Sequence, residues 1–296
     1  MIRHYRRNCR TDKNQGAQRN GLGDIKLRRG PTMTPTTTQR STRSRRRSST
    51  GGAHGASDIG NQTAAVLGAA ESYAHVGARI SDRSVDEPDY PWAMCLRKES
   101  DDYAAKHSRS AGNGALMRNG IVGLTRLRDL DATERAAVAV ASLTHADPLV
   151  ADSCVLHAEA IRVTVLEGRL DLRAGLNLVP QERRSQWEQW IDSADFTPGG
   201  RVAREGYRPS AIETTSTHVD HRGLANPAAS IEANGSTFGA LRAAWAAITS
   251  TDDGSSGHAR RALIAAVRAG HDADTVAAIT GALMGARCGV SGLPAA

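Results

Sequence analysis

Aromatic side chains are scarce in this sequence. Phe, Tyr and Trp together make up 4% of its 296 residues, whereas Ala and Gly are abundant. This composition argues against an aromatic-rich β-sandwich, because sandwich strands are enriched in aromatic and β-branched residues. It favours helices that pack closely through small side chains.

Long hydrophobic runs are also missing. The apolar runs are far shorter than the roughly 18 residues that a membrane-spanning helix needs. The first residues, MIRHYRRNCR, are basic, but no apolar segment follows them as it would in a secretory signal. We therefore expect a cytoplasmic protein with no membrane partner.

Closely spaced cysteines are absent. The four cysteines lie far apart and form no CxxC pair, which leaves a zinc ribbon or a dithiol redox motif without support. We expect all of them to be free thiols in a reducing cytoplasm. They are Cys9, Cys95, Cys154 and Cys288.

Positive charge is concentrated at the N-terminus. Residues 1–50 hold 14 Lys and Arg against two acidic residues, a balance of +12. The remaining 246 residues have a balance of −5, so the overall charge is +7. The basic character of the chain therefore belongs to its N-terminal arm.

The arm is predicted to be disordered. Residues 34–50 read TPTTTQRSTRSRRRSST, which has too few apolar side chains to form a core. Three interpretations stay open: a segment that binds nucleic acid or an acidic surface, a plain tail, or a stretch that is not native coding sequence. A nucleic-acid partner is expected only through this arm, although no aromatic residues alternate with its arginines to stack on bases.

The rest of the chain is predicted to be all-α. Residues 1–56 are the predicted arm, and residues 57–296 the predicted helical domain. Residues 81–114 and 195–236 are polar and rich in Gly or Pro, which predicts irregular structure. No period-2 strand pattern and no internal repeat is found. Helices are predicted near residues 61–80, 131–145, 148–166, 181–194, 238–248, 258–269 and 274–287.

The clearest chemical feature lies at the start of the last predicted helix. Asp272, Asp274 and Thr275 place two carboxylates and a hydroxyl within four residues. N-capping and the helix dipole account for one aspartate there but poorly for two. Hard cations such as Mg²⁺, Mn²⁺ or Ca²⁺ take oxygen ligands, so metal binding and capping both remain open.

Three further segments are weaker signals. Residues 110–118, SAGNGALMR, contain small residues that let backbone N–H groups approach a phosphate. His145 lies at a junction between two helices, where capping or core packing is the ordinary interpretation. Residues 58–63, DIGNQT, alone suit the entry to a helix.

Taken together and in order, these segments resemble the ADP-ribosylglycohydrolase family, which includes dinitrogenase-reductase-activating glycohydrolases and ADP-ribosyl-acceptor hydrolases. The resemblance covers about residues 57–296, and its last motif, HDADTVAAITGALMGAR, is highly specific. The motifs are DIGNQT at 58–63, SAGNGALMR at 110–118, LTH at 143–145, NG at 234–235, the last motif at 271–287 and GVSGLP at 289–294.

The resemblance implies an all-α enzyme that hydrolyses the bond between ADP-ribose and a protein side chain, often arginine. Its cofactors would be two Mg²⁺ or Mn²⁺ ions, and its partners ADP-ribose and an ADP-ribosylated protein. Asp58 would be the general base of the reaction. The metal ligands would be Asp272, Asp274 and Thr275, and the groups lining ADP-ribose would be Ser110, Gly112, Asn113, Gly114 and His145.

One family motif is missing. The family carries an N-terminal Thr-Asp-Asp-Thr after a Gly-Asp-rich start, whereas this chain has only Gly23-Asp24 and Thr11-Asp12-Lys13 there. Thr251-Asp252-Asp253 spells part of the motif, but its position between two C-terminal helices predicts a surface turn. We therefore expect a truncated or divergent member, through a shifted reading frame or a misplaced start. The alternative is a catalytically inactive ADP-ribose-binding relative or a truncated gene product.

Overall fold

The computed structural model describes residues 59–87, 90–197, 226–233 and 235–289. Within these ranges the chain forms helices and no β-strand, which confirms the predicted all-α class. The α-helices are α1 (Asn61–Ser81), α2 (Trp92–Lys106), α3 (Leu130–Ala141), α4 (Pro148–Glu167), α5 (Gln181–Asp192), α6 (Thr237–Thr249), α7 (His258–Arg268) and α8 (Ala273–Cys288). Short 3₁₀ turns cover Leu116–Arg118, Val122–Leu124, Leu172–Leu178 and Pro227–Ser230.

Helix α4 begins and ends where the sequence predicts. The Asp147 carboxylate accepts a hydrogen bond from the Leu149 N–H at 2.9 Å, and Pro148 is the first helical residue. Proline is favoured there because its missing N–H would have no partner within the helix. The helix ends at Gly168, whose φ of 71° lies in the left-handed region that glycine tolerates.

Helix α2 contradicts the expectation of irregular structure over 81–114. Trp92, Cys95 and Leu96 are buried at positions i, i+3 and i+4, on one side of the helix. That side packs on α1, and the nearby Tyr90 hydroxyl donates to the Ala74 carbonyl at 2.6 Å. The charged residues that fill the rest of α2 obscure this narrow apolar stripe in the sequence.

The main core surrounds α4. Most of α4 is buried, and it contacts α3, α6 and α8. Its Leu156 and Ile161 belong to the same buried cluster as Trp245 of α6 and Leu283 of α8. Small alanines fill many of the remaining core positions, which allows the helices to approach closely.

A stripe of tryptophans on α5 packs into this core. Trp187 and Ile191 are almost fully buried. Trp190 is partly buried and stacks on Phe238, with 4.9 Å between ring centroids. The stripe therefore has a structural role.

A second, smaller cluster joins α1 and α2. It contains Ala70, Ala74 and Trp92, and it extends to Leu143, just after α3. This contact places the first turn of α1 beside the junction between α3 and α4. The packing of α2 on α1 therefore helps to position the candidate functional site.

Several predictions fall partly or wholly outside the described residues. These are the basic arm over 1–56, Asp58 and Cys9, Asn234, and most of the polar stretch 195–236. The other three cysteines are free thiols, as expected. Among the described residues, no helix has both the length and the apolar character that crossing a membrane requires.

Candidate functional site

Four separate segments meet at one place in the fold. They are the first turn of α1, the loop 110–114, the α3–α4 junction at 144–147 and the start of α8. The polar and small residues singled out in the sequence are concentrated in these segments. The contacts between them define the candidate site.

The loop 110–114 is held by backbone hydrogen bonds. The Asn113 N–H donates to the Gly235 carbonyl at 2.9 Å, and the Thr237 N–H donates to the Ala111 carbonyl at 2.9 Å. The Ser110 hydroxyl donates to Asp147 at 2.9 Å, the same carboxylate that caps α4. Ser110 therefore connects the loop to α4, and its hydroxyl proton is donated to Asp147.

Two glycines of the loop lie directly against His145. A Cβ added at Gly112 would stand 3.2 Å from His145 Nε2 and 3.0 Å from the Gln62 side-chain oxygen. A Cβ added at Gly114 would stand 3.1 Å from both His145 Cε1 and Thr63 Oγ1. Both separations are tighter than ordinary van der Waals contact, so the close approach of the imidazole depends on glycine.

His145 is buried, with 2% of its surface exposed. Burial, and secondarily the charge of Arg118, lowers the pKa of His145 to about 3. The imidazole is therefore neutral at physiological pH. Its Nδ1 lies 2.7 Å from the Thr144 hydroxyl.

The start of α8 joins the loop through a side-chain hydrogen bond. The Asn113 amide donates to the Asp272 carboxylate at 2.5 Å. Asp272 occupies the N-cap position of α8, yet its side chain accepts no hydrogen bond from the helix N–H groups. Capping therefore does not account for this carboxylate.

The other two residues of the predicted metal set differ in exposure. Asp274 is exposed, whereas Thr275 is buried and its hydroxyl donates to Met117 Sδ at 3.5 Å. The turn before them contains Gly270 and His271, both with positive φ, at 80° and 55°. This left-handed turn brings Asp272 back toward the loop.

The oxygen donors at this turn have the right chemistry for a hard cation. Asp272 and Asp274 offer carboxylates, and Thr275 offers a hydroxyl. Among the described residues, however, no group of three or more His, Cys, Asp or Glu side chains is placed to hold a metal ion. The turn thus fits part of one coordination sphere, and a two-metal centre would need further ligands.

Thr251-Asp252-Asp253 lies in a surface turn, as predicted. Asp253 is exposed and forms an ion pair with Arg261. The Asp252 carboxylate lies 3.6 Å from His258 Nδ1. These partners explain both carboxylates structurally and leave the tripeptide outside the candidate site.

The sequence alone shows no role for four residues that the fold brings to the site, namely Gln62, Thr63, Arg118 and Thr144. Gln62 donates to the Thr144 carbonyl at 3.3 Å, and Thr63 faces Gly114. The Arg118 guanidinium donates to the Gly114 carbonyl and to the Thr144 hydroxyl. Gln62, Thr63 and Arg118 stand inside the quoted motifs, but only the packing of distant segments shows what they contact.

The comparison with protein families agrees with this geometry. The family model described as ADP-ribosylglycohydrolase matches residues 9–296, so the chain belongs to that family. The match begins within the basic arm, earlier than the motifs at 58–294. Members are glycohydrolases that act on ADP-ribose linkages. Among curated proteins, no sequence matches the chain.

Proposed function

We propose that this chain hydrolyses the glycosidic bond between ADP-ribose and a protein side chain, with arginine as the linkage. One observation carries the proposal: in a member of this family, Asn113 joins the glycine loop to the acidic turn of α8 within one site. The loop supplies small residues for a phosphate, and the turn supplies carboxylates beside it.

The loop is suited to binding the diphosphate. The Asn113 N–H is already donated to Gly235. The N–H groups of Gly112 and Gly114 have no hydrogen-bond partner among the described residues, so they are free for phosphate oxygens. A Cβ at either residue would press on the His145 ring, so the loop keeps this shape only with glycine at both positions.

The reaction adds water across the bond between ribose C1 and the side-chain nitrogen. The C–N bond breaks through an oxocarbenium-like state, the hydroxyl adds to C1, and a proton passes to the leaving nitrogen. Asp58, at the position of the family's acidic residue, is the proposed base that accepts the proton from the attacking water. The hydrogen bond from Asn113 orients the Asp272 carboxylate.

Asp272, Asp274 and Thr275 would hold the cation, Mg²⁺ or Mn²⁺. Bound there, the cation would supply Lewis-acid chemistry: it would orient ribose hydroxyls and lower the pKa of a water molecule. The proposal includes a cytoplasmic location, because a reducing compartment suits the free cysteines.

The proposal predicts that ADP-ribose binding depends on the acidic turn. Calorimetric titration of ADP-ribose into the full chain, with Mg²⁺ or Mn²⁺ present, should show binding. The double variant Asp272→Asn, Asp274→Asn should weaken that binding by at least about tenfold, because it removes two carboxylates that offset the cation's charge. Release of ADP-ribose from an ADP-ribosyl-arginine peptide should fall in parallel.

The matched control is Asp253→Asn, which changes an exposed aspartate of the surface turn and should leave both measurements unchanged. Equal effects of the control and the double variant would contradict the proposal.

A second candidate is an ADP-ribose-binding relative without turnover. It is favoured by the missing Thr-Asp-Asp-Thr motif and by the absence of a larger acidic group among the described residues. The release assay separates the two functions, because the relative would bind ADP-ribose in the titration yet release none from the peptide.

A further inference from the structure

A chain of hydrogen bonds connects three side chains behind the glycine loop. The Arg118 guanidinium donates through Nη1 to the Gly114 carbonyl and through Nη2 to the Thr144 hydroxyl. The Thr144 hydroxyl oxygen lies 2.7 Å from His145 Nδ1. The direction of each hydrogen bond decides which imidazole nitrogen carries the proton.

Arg118 fixes the donor-to-acceptor direction of the first hydrogen bond in this series. A guanidinium has donors only, so Thr144 Oγ1 must accept from it. The Thr144 hydroxyl then has its own proton to donate, and His145 Nδ1 is its partner among the described residues. Donation from Thr144 leaves Nδ1 unprotonated and places the imidazole proton on Nε2.

The opposite tautomer leaves a proton without an acceptor. If Nδ1 carried the hydrogen, Thr144 Oγ1 would accept from both Arg118 and His145. Its own O–H would then point into the protein, because Thr144 is only 6% exposed. A buried donor without a partner is unfavourable by roughly tenfold or more in population, which favours the first arrangement.

The other imidazole nitrogen lies beside the glycine loop. His145 Nε2 lies against Gly112 and Gly114, and it has no hydrogen-bond partner among the described residues. A ligand oxygen seated on the glycine loop is the acceptor that this nitrogen lacks. The phosphate and ribose oxygens of ADP-ribose have that chemistry.

We propose that Arg118 and Thr144 are positioning residues that hold His145 in its neutral Nε2–H tautomer, so that Nε2 donates a hydrogen bond to ADP-ribose. This inference rests on the proposed function for the identity of the ligand. The low pKa of His145 agrees with it, since a neutral ring has one donor and one acceptor nitrogen.

The tautomer is measured directly by long-range ¹H–¹⁵N correlation NMR on the full chain. His145 is assigned by comparison with His145→Gln. We expect wild-type Nδ1 to be unprotonated and Nε2 to be protonated, with the same pattern in Thr144→Ser. Thr144→Val removes the hydroxyl at almost constant volume, and we expect its tautomers to be mixed.

Ligand binding gives a second readout. ADP-ribose should shift the His145 Nε2 proton signal in the wild type. Thr144→Val and Arg118→Lys should weaken ADP-ribose binding by about tenfold, which is one hydrogen bond. Thr144→Ser should rescue binding to within about twofold, because it restores the hydroxyl.

The outcomes separate this inference from the proposed function. A wild-type Nδ1–H tautomer, or a Thr144→Val tautomer equal to wild type, would overturn the positioning role. The expected tautomers in a chain that binds no ADP-ribose would support the positioning role and contradict the proposed function. The wild-type measurement needs only His145→Gln for assignment, so it stands even if Arg118→Lys fails to fold.

Discussion

At the residue scale, glycine and histidine depend on each other in the candidate site. The imidazole of His145 occupies the space that side chains at 112 and 114 would take. Both segments are recognisable in the sequence, but their contact joins residues about 30 positions apart, and no spacing rule reports it. The sequence does not show the contacts of Arg118 with Gly114 and Thr144 for the same reason.

Gly114→Ala should damage both the site and the fold. The added Cβ would stand 3.1 Å from His145 Cε1 and from Thr63 Oγ1, so the ring or the loop must move. We expect ADP-ribose affinity to fall by at least about tenfold and the free energy of unfolding to fall by about 1–3 kcal/mol. Calorimetry and urea unfolding measure the two effects.

Gly68→Ala is the matched control for that substitution. Gly68 is exposed on α1, and a Cβ there has no heavy atom within 4 Å. Alanine should raise the free energy of unfolding by about 0.5–1 kcal/mol through helix propensity and leave ADP-ribose affinity unchanged. A Gly114→Ala protein that binds as tightly as this control would show that the loop tolerates displacement.

At the element scale, the helix starts carry both the fold and the site. The N-cap of α4 follows from the Asp-Pro pair in the sequence, and the structure confirms it. Helix α2 was missed because charged residues obscure its apolar stripe, so its existence depends on packing against α1. Local signals therefore identified most helices but not the one that relies on a neighbour.

Asp147→Ala should affect both stability and ligand binding. The variant loses the cap to the Leu149 N–H and the hydrogen bond from Ser110. We expect a loss of about 1–2 kcal/mol in the free energy of unfolding, together with weaker ADP-ribose binding as the loop loosens. Thermal unfolding followed by circular dichroism, with calorimetry, tests both effects.

Asp129→Ala separates capping from loop positioning. Asp129 caps α3 by accepting from the Ala132 N–H at 2.9 Å. Its loss should cost about 1 kcal/mol and leave ADP-ribose binding unchanged. If Asp147→Ala behaves in the same way, the Ser110 hydrogen bond does not position the loop.

At the scale of the whole molecule, two buried histidines make stability depend on pH. Burial lowers the pKa of His157 to about 4, and burial together with the charge of Arg118 lowers that of His145 to about 3. In the unfolded chain both groups titrate near 6.5. Between about pH 6.5 and pH 4 the unfolded state therefore binds more protons than the folded state.

Stability should consequently fall as the pH is lowered below about 6.5. Each histidine that is neutral in the folded state and charged in the unfolded state contributes a slope of about 1.4 kcal/mol per pH unit. Urea unfolding between pH 7.5 and pH 5 measures the slope. His75→Gln, at an exposed position on α1, should leave it unchanged. A flat profile would contradict the lowered pKa values of the two buried histidines.

The sequence by itself determined the all-α class, most helix boundaries and the family, because helical periodicity, capping residues and ordered motifs are local properties of a chain. It also identified the acidic turn of α8 and the glycine loop as separate features. Only the tertiary structure decided that Asn113 donates to Asp272 and that Ser110 donates to Asp147. It also decided that Arg118 donates to Thr144, next to His145. These contacts join residues far apart in the chain, and their geometry exists only once α1, α4 and α8 have packed together.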